Sequence, residues 1–206
     1  MSQIAPQLVR ELREKTNAGM MDCKRALTEA SGDLAKAEDI LRAKGIASAG
    51  KKASRSAKEG IVASYIHMQG KVGVLVEVNC ETDFVAKNEN FRDLVKDITL
   101  HIAAANPTCV SRDQIDPATI EREKGIYRQQ VEGKPENIVE KIIEGKVEKF
   151  YGTSCLMEQP FIKNPDVSIT DLVKAKITEL GENLVIRRFT RYVVGEGITD
   201  GQPANG

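Results

Sequence analysis

Tryptophan is missing, and aromatic residues supply only 4% of the 206-residue chain. The interior must therefore be packed mainly with Ile, Leu, Val and Ala. Net charge is missing too: 30 Lys and Arg balance 30 Asp and Glu. A dedicated polyanion binder needs a surplus of cations, so direct nucleic-acid binding is not expected. No apolar run approaches the ~20 residues that span a bilayer, so no membrane partner is expected. The opening, MSQIAPQLVRELREK, lacks the apolar core of a secretory signal and mixes Glu with Arg, which points to a cytoplasmic protein. Cys23, Cys80, Cys109 and Cys155 never form C-x-x-C, and His67 and His101 stand alone. That spacing holds no metal, so no metal site or cofactor is expected and the thiols read as reduced and buried. Phosphate-loop, dinucleotide-binding and nucleophile-elbow motifs are also missing, which argues against an enzyme.

What is present suffices for a core. The chain is 41% hydrophobic and 29% charged, and its length suits one or two domains. Ile4, Leu8, Val9 and Leu12 recur at helical spacing. Thr16-Asn17-Ala18-Gly19 breaks that stripe, and Ala26, Leu27 and Ala30 resume it. Ser31-Gly32-Asp33 then offers a terminating Gly and a capping Asp. A third helix carries Leu34, Ala37, Ile40 and Leu41 and is expected to stop near Gly45. Three short alanine-rich helices make a bundle similar to ubiquitin-associated (UBA-like) domains.

Six cations and no anion lie between Arg42 and Lys58. They read as a solvated linker or helical extension, or more sharply as a basic patch for an acidic surface. No aromatic residues interleave to stack bases. From Gly60 the period changes. Ile61 to Met68 and Lys71 to Cys80 predict a hairpin turning at Gln69-Gly70, with Val72, Val74, Val76, Val78 and Cys80 on one buried face. Helices are expected from Asn90 to Ala105, Pro117 to Glu132, Pro135 to Glu144 and Ile169 to Leu180, and a strand from Leu184 to Val194. The fold class is α+β: a helical domain over residues 1–56, an antiparallel-sheet core flanked by helices over 57–196, and a flexible tail over 197–206.

Cys80-Glu81-Thr82-Asp83-Phe84-Val85-Ala86-Lys87-Asn88 falls between the hairpin and the long helix. Thr82 or Asp83 suits a helix cap. Phe84 and Val85 then either pack beneath the turn or project from it as an apolar wedge beside a carboxylate.

These residues carry a resemblance. LVRELREKTNAGMMDCKRAL (Leu8 to Leu27), KKASRSAKEG, NCETDFVAKNENF (Asn79 to Phe91), HIAAANP, GKPENIVEKIIEGK, EQPFIK and GENLVIRRF, in this order, resemble the translation elongation factor Ts family. The length is similar to its short bacterial form, with one copy of the core repeat. One departure is Asn17, where the family pattern has Gly; Asn tolerates left-handed backbone better than other non-Gly residues.

The resemblance implies a guanine-nucleotide exchange factor, without covalent catalysis, acting on elongation factor Tu in its GDP-bound and nucleotide-free states. It implies that Thr82, Asp83, Phe84 and Val85 dislodge the partner's magnesium ion. It also implies that Arg13, Met20 and Met21 grip the partner's nucleotide domain, with His101 at the interface or in the core. Two alternatives stand beside it. A generic UBA-like interaction module explains Leu8 to Gly45 but leaves the Thr82–Val85 loop without a purpose. A thiol enzyme built on Cys80 beside Glu81 has no histidine near it in sequence. A homodimer is expected through an edge strand carrying Leu184, Ile186, Phe189 and Val193.

Overall fold

The computed structural model describes residues 4–16, 18–131 and 135–197. Asn17, the start of the GKPENIVEKIIEGK segment and all but Gly197 of the expected tail lie outside the described residues. The chain divides into two compact units. One takes in residues up to Ile61 with Asn79–Leu94 and Asp171–Val185; the other holds Val62–Val78, Val95–Thr170 and the remainder from Ile186.

The first unit opens with helices α1 (Pro6–Thr16), α2 (Met20–Glu29) and α3 (Leu34–Lys52). Val9, Leu12, Cys23, Ala26, Leu27, Ala30 and Ala37 are buried together as their core. The expected punctuation is there: Gly32 takes φ 90° and the Asp33 carboxylate accepts the Lys36 amide at 3.1 Å. One boundary differs. The third helix does not stop near Gly45 but runs on to Lys52, so part of the basic stretch is a helical extension. Gly45 is buried, and a Cβ there would meet the Thr178 hydroxyl at 3.1 Å. It is a close-approach glycine inside a helix, not a terminator.

Strands β1 (Glu59–His67) and β2 (Val72–Cys80) form the expected hairpin, joined by a 3₁₀ turn over Met68–Gly70. Met68, Gln69 and Gly70 all have positive φ. Val72, Val74, Val76, Val78 and Cys80 are buried, as the alternation requires. After α4 (Asp83–Ala86) comes α5 (Glu89–Ala105), which buries Phe91, Leu94, Val95, Ile98 and Ile102 and ends at Asn106 with φ 49°.

A helical pair follows, α6 (Pro117–Gln130) and α7 (Glu136–Ser154), sharing Ile120, Val131, Val139, Ile143 and Val147. The second of these runs well past the expected end at Glu144. Gly145 lies within it, and the spacing of Val139, Ile143 and Val147 carries the apolar stripe across that glycine. A short antiparallel pair, β3 (Pro160–Phe161) with β4 (Asn164–Ser168), has no counterpart in the sequence reading. A two-residue strand and a five-residue one that contains Pro165 leave no periodic signal. The chain closes with α8 (Ile169–Leu180), stopped by Gly181 at φ 80°, and β5 (Val185–Val193). The sheet order is β1-β2-β5, antiparallel and mixed with helix, which makes the fold α+β.

Candidate functional site

The chain leaves β2 at Cys80 and must turn before α5. Thr82 starts the turn: in extended backbone, its hydroxyl accepts the Val85 amide at 3.3 Å and caps the single helical turn of α4. Asp83 is exposed and takes an ion pair from Lys87 at 2.6 Å, one turn on. The Lys87 ammonium holds the Asp83 carboxyl below the usual carboxylate range, and Asp83 raises Lys87 in return.

Phe84 and Val85 part company. The Phe84 ring is 79% exposed, whereas Val85 is 6% exposed. Phe84 projects while Val85 packs beneath the turn, so Val85 as part of a projecting wedge is corrected: successive residues on a helix differ by about 100° in direction, and Val85 falls on the side facing the protein. Thr82, Asp83 and Phe84 are presented outward, and Val85 roots the turn.

The turn is anchored from a distance. Just past the end of α8, Glu182 Oε2 accepts the Glu81 and Thr82 amides at 3.0 Å each, and Oε1 accepts the Thr82 hydroxyl at 2.6 Å. The Glu81 carboxylate accepts the Asn183 amide at 2.6 Å, and Asn183, itself buried, donates to the carbonyls of Ala53 and Arg55. Asn90 donates to Glu179 at 2.7 Å. Sequence reasoning missed Glu182 and Asn183. The one available signal was an acid and an amide placed directly after a helix-ending glycine, inside the GENLVIRRF segment.

Cys80 lies beneath the turn, donating to the Thr82 carbonyl at 3.1 Å. Burial, then the nearby Glu182 carboxylate, pushes its thiol up to about 11, so it is not held as a thiolate. A buried, protonated thiol gives no support to a thiol enzyme built on Cys80.

The remaining predicted residues are dispersed. Arg13, Met20 and Met21 are exposed on the helical bundle, the methionines at the start of α2. His101 is 1% exposed in α5, and its role at a surface is corrected. Its Nδ1 accepts the Ile162 amide at 3.3 Å and its Nε2 pairs with Gln159 Oε1 at 2.9 Å. This fixes the neutral tautomer with the proton on Nε2, and burial lowers the imidazole below its ordinary value. Among the described residues, no group of three or more His, Cys, Asp or Glu could hold a metal ion. None of the described helices is long and apolar enough to cross a membrane.

Comparison with known proteins bears directly on this site. A family model described as elongation factor TS matches residues 48–196, which take in the whole turn and its Glu182 anchor. A protein named elongation factor Ts from Alkaliphilus metalliredigens is 61% identical over 197 residues, covering 95% of this chain and 91% of that one. Proteins of the same name from Carboxydothermus hydrogenoformans and Thermodesulfovibrio yellowstonii are each 57% identical. They are covered over 91% and 97% of their lengths, against 95% and 94% of this chain.

Proposed function

The chain belongs to the elongation factor Ts family of translation elongation factors, and from that premise we propose that it speeds GDP release from elongation factor Tu. The observation that carries this reading is an apolar ring held out to solvent on an anchored turn. An isolated exposed Phe gains nothing for the folded chain, and seating it in a partner's apolar pocket is worth ~1.5–3 kcal/mol. The anchor matters because a preformed turn loses little entropy when it docks.

In the proposed mechanism the chain makes and breaks no covalent bonds. On the partner, a phosphate-cradling loop would hold GDP and a magnesium ion would offset its phosphate charge. Phe84 enters between partner helices, with Thr82 and Asp83 shaping the approach and Val85 fixing the turn from inside. The elements that hold the ion shift, phosphate charge is exposed, and the release barrier falls; each ~1.4 kcal/mol removed is tenfold in rate. By linkage, the factor must bind less tightly when GDP is present. Residues 1–56 act as the anchor, with Arg13, Met20 and Met21 on the partner's nucleotide domain. Flexible thioethers suit such a surface. His101 contributes from the core by fixing the Phe161–Ile162 segment.

The same proposal includes a cytoplasmic setting and a homodimer. The support for the dimer is apolar exposure on the sheet. Val62 and Ile66 on β1, Leu75 on β2, Tyr192 on β5 and Val194 just past it are open to solvent, whereas of the expected edge residues Leu184 and Ile186 are buried and Phe189 and Val193 half-buried. A second copy would cover those five through the open sheet face.

The deciding experiment follows fluorescent GDP leaving elongation factor Tu with the chain present at substoichiometric amounts. Multiple-turnover acceleration supports exchange activity. Release at the spontaneous rate overturns it.

A further inference from the structure

The segment after α5 runs beside the last turn of α7, and it brings two cysteines together. Cys109 and Cys155 pair as an isolated parallel bridge, tied by the Leu156 amide donating to the Cys109 carbonyl at 2.9 Å. Their sulfurs are 3.6 Å apart, the Cys109 thiol donating to Cys155, and both are free thiols. Strand neighbours lie about 4.8 Å apart, inside the ~4.4–6.8 Å Cα separation that a disulfide accepts. Bonding therefore needs side-chain rotation rather than backbone movement. Cys109 is half-buried and Cys155 fully buried, so a small oxidant meets Cys109 first. The other cysteines have no such neighbour: Cys80 donates to the Thr82 carbonyl, and Cys23 sits against the Ala18 carbonyl and the Thr16 hydroxyl.

From this juxtaposition we infer that Cys109 and Cys155 form a redox modification site that closes to an intramolecular disulfide when the protein meets a peroxide. The Cys109 thiolate attacks one peroxide oxygen and the O–O bond breaks. Hydroxide leaves and collects the thiol proton as water, and Cys109 becomes a sulfenic acid. Burial holds the Cys155 thiol protonated, so it gives up that proton as it attacks the Cys109 sulfur: the S–O bond breaks, the S–S bond forms, and the departing hydroxide takes the Cys155 proton. Two thiols lose two electrons in total, and one peroxide is reduced to two waters. In a reducing compartment the bond is transient and is reversed by thiols. It closes the segment that carries α6 and α7, whose two ends are 46 residues apart at the sulfurs. The closed loop constrains the unfolded chain and fixes the base of that helical pair.

The test uses the full reduced chain, treated with a small excess of hydrogen peroxide. Remaining thiols are blocked with N-ethylmaleimide, and the protein is digested without reductant. The expected result is a cross-linked peptide joining Cys109 to Cys155, lost on adding dithiothreitol, with Cys23 and Cys80 alkylated. A Cys155→Ser variant should stop at the sulfenic acid and take up dimedone at Cys109. The site is overturned by Cys109 and Cys155 both alkylated while Cys23 or Cys80 is oxidised. It is equally overturned by Cys109 passing to sulfinic acid without cross-linking, or by links only between molecules. The wild-type map decides even where a variant fails to fold.

Discussion

Glu81 and Glu182 each supply a carboxylate to the other's strand of backbone. Glu182 accepts the Glu81 amide at 3.0 Å, and Glu81 accepts the amide of Asn183, the residue after Glu182, at 2.6 Å. Two acids would repel if they met head to head. Crossed in this way, each finds N–H donors instead, and the turn bearing Phe84 is clamped to the end of α8. Charge-assisted bonds of this kind are worth about twice a neutral one.

The clamp predicts that Glu182→Ala costs about 1–2 kcal/mol in urea unfolding, because three bonds are lost and the part-buried Glu81 amide loses its acceptor, while the exposed Thr82 amide and hydroxyl turn to water. Glu182→Gln, which keeps an acceptor oxygen, should cost less. Hydrogen exchange at those two amides should speed up in the alanine variant. Unchanged protection there would show that the turn holds itself.

Adjacent residues on that turn should respond in opposite ways. Phe84→Ala should leave stability within about 0.5 kcal/mol of the parent, since its ring is exposed, and should slow catalysed GDP release. Val85→Ala should lower stability by about 1–3 kcal/mol by opening a cavity. Loss of stability in the first, or exchange at the parent rate, would take Phe84 out of the proposed wedge.

Much of this was legible in the sequence because it was periodic. The alternating valines of β2 announced their buried face, and Ser31-Gly32-Asp33 announced its turn. A cap at Thr82 or Asp83 was readable from their residue types, and the structure gives it to Thr82. The extension of α3 past Gly45 was left open between linker and helix, since only the distant Thr178 hydroxyl explains why a glycine stands there. Glu182 was hidden for the same reason: its partners lie about a hundred positions upstream, and no local pattern encodes a bond across that separation. His101 lies on the apolar side of α5, and its spacing could not separate a core histidine from a surface one.

Truncation tests how far the helical bundle is independent. Lys52 donates to the Ile177 carbonyl at 3.4 Å, Thr178 to the Gly45 carbonyl at 3.1 Å, and buried Asn183 to Ala53 and Arg55. A chain starting at residue 57 loses all of these, and one starting at residue 44 keeps them. At about 1 kcal/mol per bond, the shorter chain should melt several degrees lower. Equal midpoints would mean that the boundary near residue 56 cuts no stabilising contact.

His101 sets a pH dependence of stability. Its folded value lies below the ordinary 6.5 because burial disfavours the charged ring. The unfolded chain therefore takes up the proton first. Stability is full above pH ~6.5, falls as pH drops through that value, and levels off below the folded value. His101→Leu should be less stable throughout, having lost its bonds to Gln159 and Ile162. The loss on acidification in that window should nevertheless be smaller than in the parent. Urea unfolding at a series of pH values compares the two slopes, and identical slopes would show that other groups set the acid limit.

Magnesium separates ion displacement from direct pressure on the phosphate loop. If the Thr82–Val85 turn acts by shifting the elements that hold the ion, removing the ion by chelation does part of the same work. Spontaneous GDP release should then speed up, and the factor's remaining advantage should shrink. The Phe84→Ala defect should shrink with it, because the missing ring has less to displace. Salt should behave differently. With no net charge on the chain, steering comes only from local patches such as Arg42 to Lys58, and it fades within a Debye length of ~8 Å at physiological ionic strength. Added salt should slow association modestly and leave the apolar step nearly untouched. The measurement is stopped-flow GDP release at saturating factor, parent and Phe84→Ala, across a magnesium titration into chelator at fixed ionic strength. A defect that converges toward the parent as magnesium falls supports ion displacement. A defect of constant size down to the lowest magnesium overturns it and assigns Phe84 to the phosphate loop instead.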